Sequence, residues 1–422
     1  MTDLEVVARG LVGGEGCVER LSCHLRLPLV ACVDSERPAV HIWDCGAGRL
    51  RALGSVGLTS EPYGDAFGWQ RSQRTPAVAW HPERPLLVVA GEDGLRQWAP
   101  AGLSAPEGAP ASASYRSLAF SPDGRTLWGS PSVRGEGEAW ESSDVLDLSS
   151  GTIGAGPWWD TGVAEHPGGG LVATLASDQG ATYCLFARVD QDTLPAVMRP
   201  LRRALVLDCD GYGTPVFSAD GRHVAVRGNA YDNSVEVFEF PSLRRVLATT
   251  LGDPSPGYPY PPEWLDQMRA WARHNIAFGS RAGVLWIATP TGTLLEVELE
   301  SQRAVEHDVL TGTPVSALAA TVTGELLVAG SGGELLLLSV PLRPTQTRPT
   351  TGDTARAAAE AFLETTAEVP DDGNDLETHL VLTDGTRTWE ADDLATTTTA
   401  DSTDPTWLQL QAAINTAQVK GA

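Results

Sequence analysis

The residues of this chain that could do chemistry include cysteines and histidines near its start. Cys23 and His24 are adjacent and Cys32 follows soon after, which brings together thiolate and imidazole groups, the usual ligands of zinc. Their spacing matches no C-x2-C pair, the arrangement typical of structural zinc sites. Free thiols in a strand-turn-strand segment are therefore predicted, with no metal site.

General acid-base chemistry would need a carboxylate beside a histidine. The local candidates are Glu165 with His166 and the Glu-His-Asp segment 306–308. His24, His81 and His166 stand at the same place in three similar hairpins, which indicates a role in turns. The sequence therefore predicts no catalytic residue, no cofactor and no metal ligand.

The scarcity of lysine and the excess of acidic residues exclude several other classes of protein. The 422 residues include 54 Asp and Glu against 30 Lys and Arg, a net charge of −24, and Lys420 is the only lysine. P-loop enzymes, protein kinases and Schiff-base enzymes each need a lysine at their active site. Nucleic-acid binding needs clustered basic residues, so no nucleic-acid partner is predicted.

The expected cellular location depends on two features that the sequence lacks, a membrane-spanning segment and a signal peptide. No run approaches 18 apolar residues, and residues 1–5 lack the basic and apolar regions of a signal peptide. We expect a soluble cytoplasmic protein with no membrane partner.

The elements that must carry these residues repeat along the chain. Each unit has an apolar strand, a turn rich in Pro, Asp and Gly, and a second apolar strand, because Asp, Asn and Gly accept tight-turn conformations. The clearest copies are 77–91, 117–128, 215–226 and 275–287, and weaker copies lie near His24, His166 and Thr321. A third strand follows in each unit, at 39–44, 95–98, 145–148, 181–186, 234–238, 294–299 and 335–340.

The number of units predicts the fold class. Equivalent hairpin positions recur at spacings of 40 to 61 residues, and several units continue to a fourth strand. Four-stranded units at this period are typical of β-propeller blades. The sequence predicts an all-β fold, a seven-bladed β-propeller over residues 1–341.

Three segments resemble a known family. The segment 40–50, with Trp43 and Asp44, is similar to the end of a WD repeat, and segments 120–125 and 217–222 are similar to the inner hairpins of bacterial WD-repeat proteins. The resemblance covers about residues 1–341. It implies a β-propeller that serves as a platform for binding other proteins.

The seventh unit lacks a fourth strand, because the chain reaches Pro341 and Pro344 after the third and proline cannot donate to a ladder. Residues 4–9 have the composition of a strand and precede the first unit. We expect this N-terminal strand to complete the seventh sheet and close the ring, since an open ring would leave two exposed edges.

An insertion at 252–273 interrupts the repeat. Its proline-rich first half leads into a short helix, on which aromatic residues and a methionine share one face. Either this face packs on the protein itself as a lid, or it binds a partner, since Trp and Tyr dominate interface hot spots. The candidate partner-binding side chains of the insertion are Tyr258, Tyr260, Trp264, Met268 and Trp271.

The C-terminal part is predicted as a linker at 342–356 and a small acidic α/β extension at 357–422. The extension is interpreted as a helix, a hairpin turning at Asp384 and a last helix, and its Trp389 and Trp407 are further partner-binding candidates. Residues 351–422 hold 14 acids and 3 bases, a net charge of −11. This extension docks on the propeller, or orders on a partner with a basic surface, or only aids solubility.

These observations favour a non-catalytic protein-protein interaction scaffold or adaptor of the WD-repeat type. Two alternatives stay open. One is a propeller hydrolase or lyase with acids or histidines converging at the channel mouth. The other is a sensor subunit of a bacterial multi-protein system, tethered through its acidic tail.

Overall fold

The computed structural model describes residues 4–13, 16–57, 61–66, 68–110, 113–133, 142–178, 181–190, 193–208, 211–228, 233–341, 351–370 and 376–421. Within these ranges the protein is mostly β, and its strands form seven sheets, six of which have four strands. The pairing inside each repeat is antiparallel, as the hairpin pattern predicts.

The strands and first helices follow in chain order. Before the first repeat lies β1 (Glu5–Leu11), and the first sheet holds β2 (Val18–Cys23), β3 (Leu29–Asp34), β4 (Ala39–Asp44) and β5 (Arg51–Gly57). After helix α1 (Gly68–Arg74), the second sheet holds β6 (Ala77–Trp80), β7 (Leu87–Gly91), β8 (Gly94–Ala99) and β9 (Gly102–Ser104). The third sheet holds β10 (Ser117–Phe120), β11 (Thr126–Ser130), β12 (Ser142–Asp147) and β13 (Thr152–Pro157).

The fourth sheet begins with β14 (Ala164–Glu165), β15 (Leu171–Asp178), β16 (Ala181–Asp190), β17 (Val197–Pro200) and β18 (Arg203–Asp208). The fifth holds β19 (Val216–Phe217), β20 (His223–Arg227), β21 (Ser234–Glu239) and β22 (Arg245–Thr250), and helix α2 (Pro262–Ala270) follows. The sixth holds β23 (Ile276–Phe278), β24 (Val284–Ala288), β25 (Thr293–Glu298) and β26 (Arg303–Asp308). The seventh holds β27 (Val315–Ala320), β28 (Leu326–Gly330) and β29 (Glu334–Ser339).

The C-terminal part holds α3 (Thr351–Glu364), a 3-10 turn (Leu376–Thr378), β30 (Val381–Thr383), β31 (Thr388–Trp389), α4 (Ala391–Thr396) and α5 (Thr406–Gly421). Helix α3 begins inside the segment predicted as a linker, and residues 342–350 of that segment lie outside the described residues. The sequence pattern did not reveal α4, a short helix whose start is closed by a capping box between Glu390 and Asp393.

Local chemistry explains the repeated hairpins. In the turn between β10 and β11, Ser121 Oγ donates to the Asp123 carboxylate at 2.5 Å, and Gly124 has a φ of 69°. Ser218 and Asp220 form the same bond at 2.6 Å in the fifth sheet. A left-handed φ favours glycine, so the repeated Asp-Gly pair supplies both the side-chain acceptor and the backbone conformation of this turn.

Most adjacent sheets meet through their first strands. Strand β6 contacts β10, β14 contacts β19, β19 contacts β23, and β23 contacts β27. Trp80 Nε1 donates to Ser22 O across the first and second sheets at 2.8 Å, and Trp128 Nε1 donates to Ala196 O across the third and fourth at 2.9 Å. Strand β27 of the seventh sheet also contacts β2 of the first.

The N-terminal strand lies where the sequence placed it. Strand β1 pairs antiparallel with β29, from Glu5 opposite Ser339 to Leu11 opposite Glu334, and this pairing gives the seventh sheet its fourth strand. Val12, which follows β1, is 1 % exposed and packs with Val18 and Leu335. The predicted pairing of the first and last strands of the repeat region is confirmed.

The acidic C-terminal part docks on the fourth sheet. Strand β30 pairs in parallel with β18, with Ala204 opposite Leu382, and extends that sheet to seven strands in total. Phe362 of α3 is fully buried and lies 4.9 Å from the Phe186 ring and 4.8 Å from the Phe240 ring. Of the three predicted outcomes for this extension, docking on the protein itself is the one observed.

The helices of the described ranges include none that is both long and apolar enough to cross a bilayer.

Candidate interaction surfaces

The three equivalent histidines act in turns. Nδ1 of His24 accepts from Arg26 N at 3.0 Å, and Nδ1 of His166 accepts from Gly168 N at the same distance. On the other side of each ring, Nε2 lies 3.0 Å from a carbonyl oxygen of a neighbouring sheet's turn, Arg84 O for His24 and Gly221 O for His166. The imidazoles of His24 and His166 therefore join one hairpin to a neighbouring sheet, whereas His81 accepts hydrogen bonds, among the described residues, only from Glu83 and Arg84 of its own turn.

Burial keeps these imidazoles neutral. Desolvation lowers the pKa of His24 and His166, and it lowers the pKa of His81 to about 4. A neutral ring can accept at Nδ1, whereas a protonated ring donates from both nitrogens. The hydrogen bonds of the hairpins thus require the neutral form.

We expect thermal stability to fall between pH 7 and pH 5. The folded-state pKa values lie below the unfolded value of about 6.5, so the unfolded chain takes up protons first as the pH falls. The contribution of these histidines is complete above about pH 6.5 and declines toward the folded-state pKa values. Thermal unfolding monitored by circular dichroism at fixed ionic strength would measure the decline.

The matched control replaces His24, His81 and His166 together by Asn, whose side-chain oxygen accepts hydrogen bonds but does not titrate. This variant should lose less stability than the wild type over the same pH range. An equal slope in both proteins would contradict the role assigned to the histidines.

The candidate acid-base pairs do not form a joint site. Glu165 is largely buried, which raises the pKa of its carboxyl, and its neighbour His166 is engaged with Gly221. Glu306 accepts a hydrogen bond from Thr293 Oγ1 at 2.8 Å, while His307 Nε2 lies 3.1 Å from Glu296 Oε2. Glu306 and His307 therefore serve a local network in the sixth sheet, whereas His166 links the fourth sheet to a turn of the fifth.

The cysteines are buried or half-buried free thiols. Burial raises the pKa of Cys45 to about 11 and that of Cys184 to about 12, so both stay protonated near neutral pH. Cys209 lies outside the described residues. Across the described ranges, no three His, Cys, Asp or Glu side chains are grouped so that they could hold a metal ion.

The inner face of the insertion packs on the protein itself. Trp264 is 8 % exposed and its Nε1 donates to Asp253 O at 3.1 Å. Asn233 Nδ2 donates to Met268 O at 3.1 Å, and the half-buried Trp271 joins the core between the fifth and sixth sheets. Of the two interpretations of this face, packing as a lid is the one observed for Trp264, Met268 and Trp271.

The outer end of the insertion exposes aromatic surface. The Tyr260 ring stacks on Trp264 with centroids 5.1 Å apart, and Tyr258 meets Tyr260 edge to face at 6.1 Å. Tyr258 is 88 % exposed. We call these three rings the aromatic ladder. They extend from the buried Trp264 indole, through Tyr260, to the exposed Tyr258 phenol.

The two tryptophans of the C-terminal part are engaged internally. Trp389 and Trp407 pack edge to face at 5.0 Å, and both join a core with Ala204 and Leu382 where β30 adds to the fourth sheet. Trp407 is 7 % exposed and so offers little surface to a partner. The sequence analysis did not predict this arrangement, because strands that pair in parallel are not joined by a tight turn with a recognisable sequence.

The outer face of α5 is apolar. Leu410 is 42 % exposed and Ile414 is 44 % exposed, while Trp407, Leu408 and Ala412 of the same helix are buried. Exposed carboxylates lie in the segment that precedes this helix, at Asp392, Asp393 and Asp401.

Three arginines that the sequence analysis did not single out lie around His274. They are Arg20 of β2, Arg227 at the end of β20, and Arg273, and each acts electrostatically on the His274 ring. Burial and these three cations lower the pKa of His274 to about 3. The sequence signal is weak, because single arginines far apart along the chain form no motif.

Comparison of the chain with protein-family models finds no match, and comparison with curated protein sequences finds none either. The functional argument therefore depends on the surfaces described above.

Proposed function

We propose that the seven sheets are the blades of a closed β-propeller of the WD-repeat type. Support comes from seven successive sheets, most of which contact their neighbours through their first strands, and from the contact of β27 with β2. Groups from sheets that are not neighbours also act on each other. Arg26 of the first sheet influences Glu165 of the fourth, and Arg20 influences His274 beside the sixth, as expected around a shared axis.

We further propose that the protein is a non-catalytic interaction scaffold whose partner docks on the aromatic ladder. The observation that carries this proposal is the exposure of Tyr258, 88 %, on a segment that Trp264 anchors. Tyr and Trp contribute large, rigid contact areas and are enriched at interface hot spots. Because the anchor is buried, little ordering is needed when a partner binds.

We expect the double variant Tyr258→Ala, Tyr260→Ala to lose its partner while it stays folded. Hot-spot truncations weaken binding by about 2 kcal/mol or more, roughly 30-fold in Kd. Affinity purification from native cells, with quantitative mass spectrometry, would measure the loss. Thermal unfolding should change little, since Tyr258 contributes almost no buried area.

Leu25→Ala is the matched control, because Leu25 is 61 % exposed in the turn between β2 and β3 and lies outside the insertion. It should retain every partner that the wild type binds. Identical sets of bound proteins for the wild type and the double tyrosine variant would contradict docking on the ladder.

The alternative of a sensor subunit tethered through its acidic tail has one observation in its favour. Leu410 and Ile414 present an exposed apolar face within a region of net charge −11, which fits a partner that is both apolar and basic. A variant with Leu410→Ser and Ile414→Ser tests this second candidate in the same purification. Loss of partners in this variant alone, with binding that weakens as salt rises, would favour the tail over the ladder. Among the described residues, no comparable observation favours the hydrolase or lyase alternative.

A further inference from the structure

The segment that carries the aromatic ladder has a restricted backbone. Five of the ten residues at 253–262 are proline, and the proline ring fixes its own φ. Trp264 Nε1 donates to Asp253 O at 3.1 Å, which ties the start of the segment to the buried indole of helix α2. The ladder is therefore held in place before a partner arrives, and little conformational entropy is lost on binding.

The ring planes of the ladder form a corner. The Tyr258 ring stands at 89° to the Tyr260 ring, whereas Tyr260 lies nearly parallel to Trp264, at 24°. Two perpendicular aromatic rings border a concave apolar corner, and the 88 % exposure of Tyr258 leaves this corner open to solvent. A proline ring suits such a site because it is compact and apolar and has almost no side-chain entropy to lose. Grooves lined by aromatic rings are a general binding site for proline-rich segments.

The phenol groups add hydrogen-bond donors. The hydroxyls of Tyr258 and Tyr260 make no hydrogen bond with the residues that the structure describes. A polyproline II helix has no internal hydrogen bonds, so its carbonyl oxygens stay free, and its prolines have no N–H to offer. A ligand that is mainly an acceptor thus meets two side chains that can donate.

The charge around the ladder is negative. Residues 252–270 contain three acidic residues, Asp253, Glu263 and Asp266, and one basic residue, Arg269. All four are exposed, and Arg269 pairs with Asp266 at 3.3 Å. Glu263 forms no ion pair within the described part of the chain. A basic residue of a ligand would therefore find a free carboxylate on the residue next to Trp264, while an acidic ligand would be repelled.

We propose that the aromatic ladder binds a proline-rich segment of another protein, in the polyproline II conformation and with arginine or lysine at one end. The inference rests on the proposed function, the docking of a partner on the ladder, and adds the chemical class of the segment that docks. Proline rings occupy the corner between Tyr258 and Tyr260, the phenols donate to backbone carbonyls, and the basic end lies toward Glu263. An amphipathic helix would gain nothing from the phenol donors, because its backbone carbonyls are already hydrogen-bonded.

The test is the binding of a short fluorescent peptide, rich in proline and ending in arginine, to the full chain, followed by fluorescence anisotropy. One comparison peptide has alanine in place of every proline, and a second has glutamate in place of arginine. We expect saturable binding of the proline peptide and at least about tenfold weaker binding of both comparison peptides, since alanine loses more backbone freedom on binding and glutamate is repelled. Added salt should weaken the binding of the arginine-ended peptide.

Three variants locate the site, and all of them change exposed side chains, so they should fold like the wild type. Tyr258→Ala should weaken binding of the proline peptide about tenfold or more. Tyr258→Phe keeps the ring and loses the donor, so its affinity should be intermediate. Glu263→Gln should reduce the preference for arginine over glutamate in the peptide. The matched control Leu25→Ala should bind the peptide as the wild type does.

Equal binding of the proline and alanine peptides would overturn the proposal, and so would equal binding by the wild type and Tyr258→Ala. If the double tyrosine variant loses its native partner while no peptide binds, docking on the ladder stands and the proline-rich class is wrong. An unchanged set of native partners in that variant would instead contradict the proposed function, and this inference with it.

Discussion

Replacing Phe362 by alanine is expected to lower the free energy of unfolding by about 3–5 kcal/mol, the usual loss for a buried phenylalanine. Phe362 is fully buried between Phe186 and Phe240, and the Arg203 guanidinium lies 5.4 Å from its ring centroid. Its removal leaves a cavity where the C-terminal part meets the fourth and fifth sheets. Chemical denaturation followed by tryptophan fluorescence would measure the change.

Glu364→Ala is the matched control for this variant, because Glu364 is exposed at the end of the same helix. Its free energy of unfolding should stay within about 0.5 kcal/mol of the wild type. If Phe362→Ala also had no effect, the C-terminal part would be an appendage that does not support the repeat region. Limited proteolysis provides a second readout, since loosening of α3 should release a fragment from the C-terminal end.

Deleting residues 1–12 should have a comparable or larger effect. Burial of Val12 alone contributes about 1.5–3 kcal/mol, and each backbone hydrogen bond between β1 and β29 adds about 0.5–1.5 kcal/mol. The deletion also exposes the edge of β29, which carries four consecutive leucines, Leu335–Leu338. We expect a markedly lower unfolding midpoint, and aggregation through the exposed edge.

The point variant Leu11→Ser is the control for the deletion, because Leu11 lies in β1 and is 60 % exposed. It should unfold like the wild type. Thermal unfolding and analytical ultracentrifugation would follow stability and aggregation. If the deletion left the unfolding midpoint unchanged, the pairing of β1 with β29 would not contribute to stability, and this prediction would be wrong.

The repeats could be predicted from the sequence because each depends on local signals. The third strand of the first unit, expected at 39–44, is β4 with the same bounds. Asp-Gly turns such as Asp123-Gly124 mark where antiparallel strands reverse, so both the number of units and the order of their strands follow from the pattern. The pairing of β1 with β29 was predicted by a different argument, the need to cover a free edge.

The rest of the architecture depends on contacts that no local sequence pattern specifies. The parallel pairing of β30 with β18 joins segments far apart in the chain, and nothing near Val381 specifies Arg203 as its neighbour. Trp389 and Trp407 were named as partner-binding candidates without any signal of this pairing, and they pack against the fourth sheet. Arg20, Arg227 and Arg273, far apart in the sequence, likewise come to act on His274 only through folding.

The pairing of β1 with β29 has a consequence for how a nascent chain matures. Strand β1 is synthesised before the seven repeats, but its partner β29 emerges only after nearly all the other sheets have been made. The fourth sheet waits as well, because β18 receives its neighbour β30 from the end of the chain. Contacts between such distant segments slow folding. During synthesis two apolar edges therefore stay open, and a chaperone that shields strand edges would be needed most at that stage.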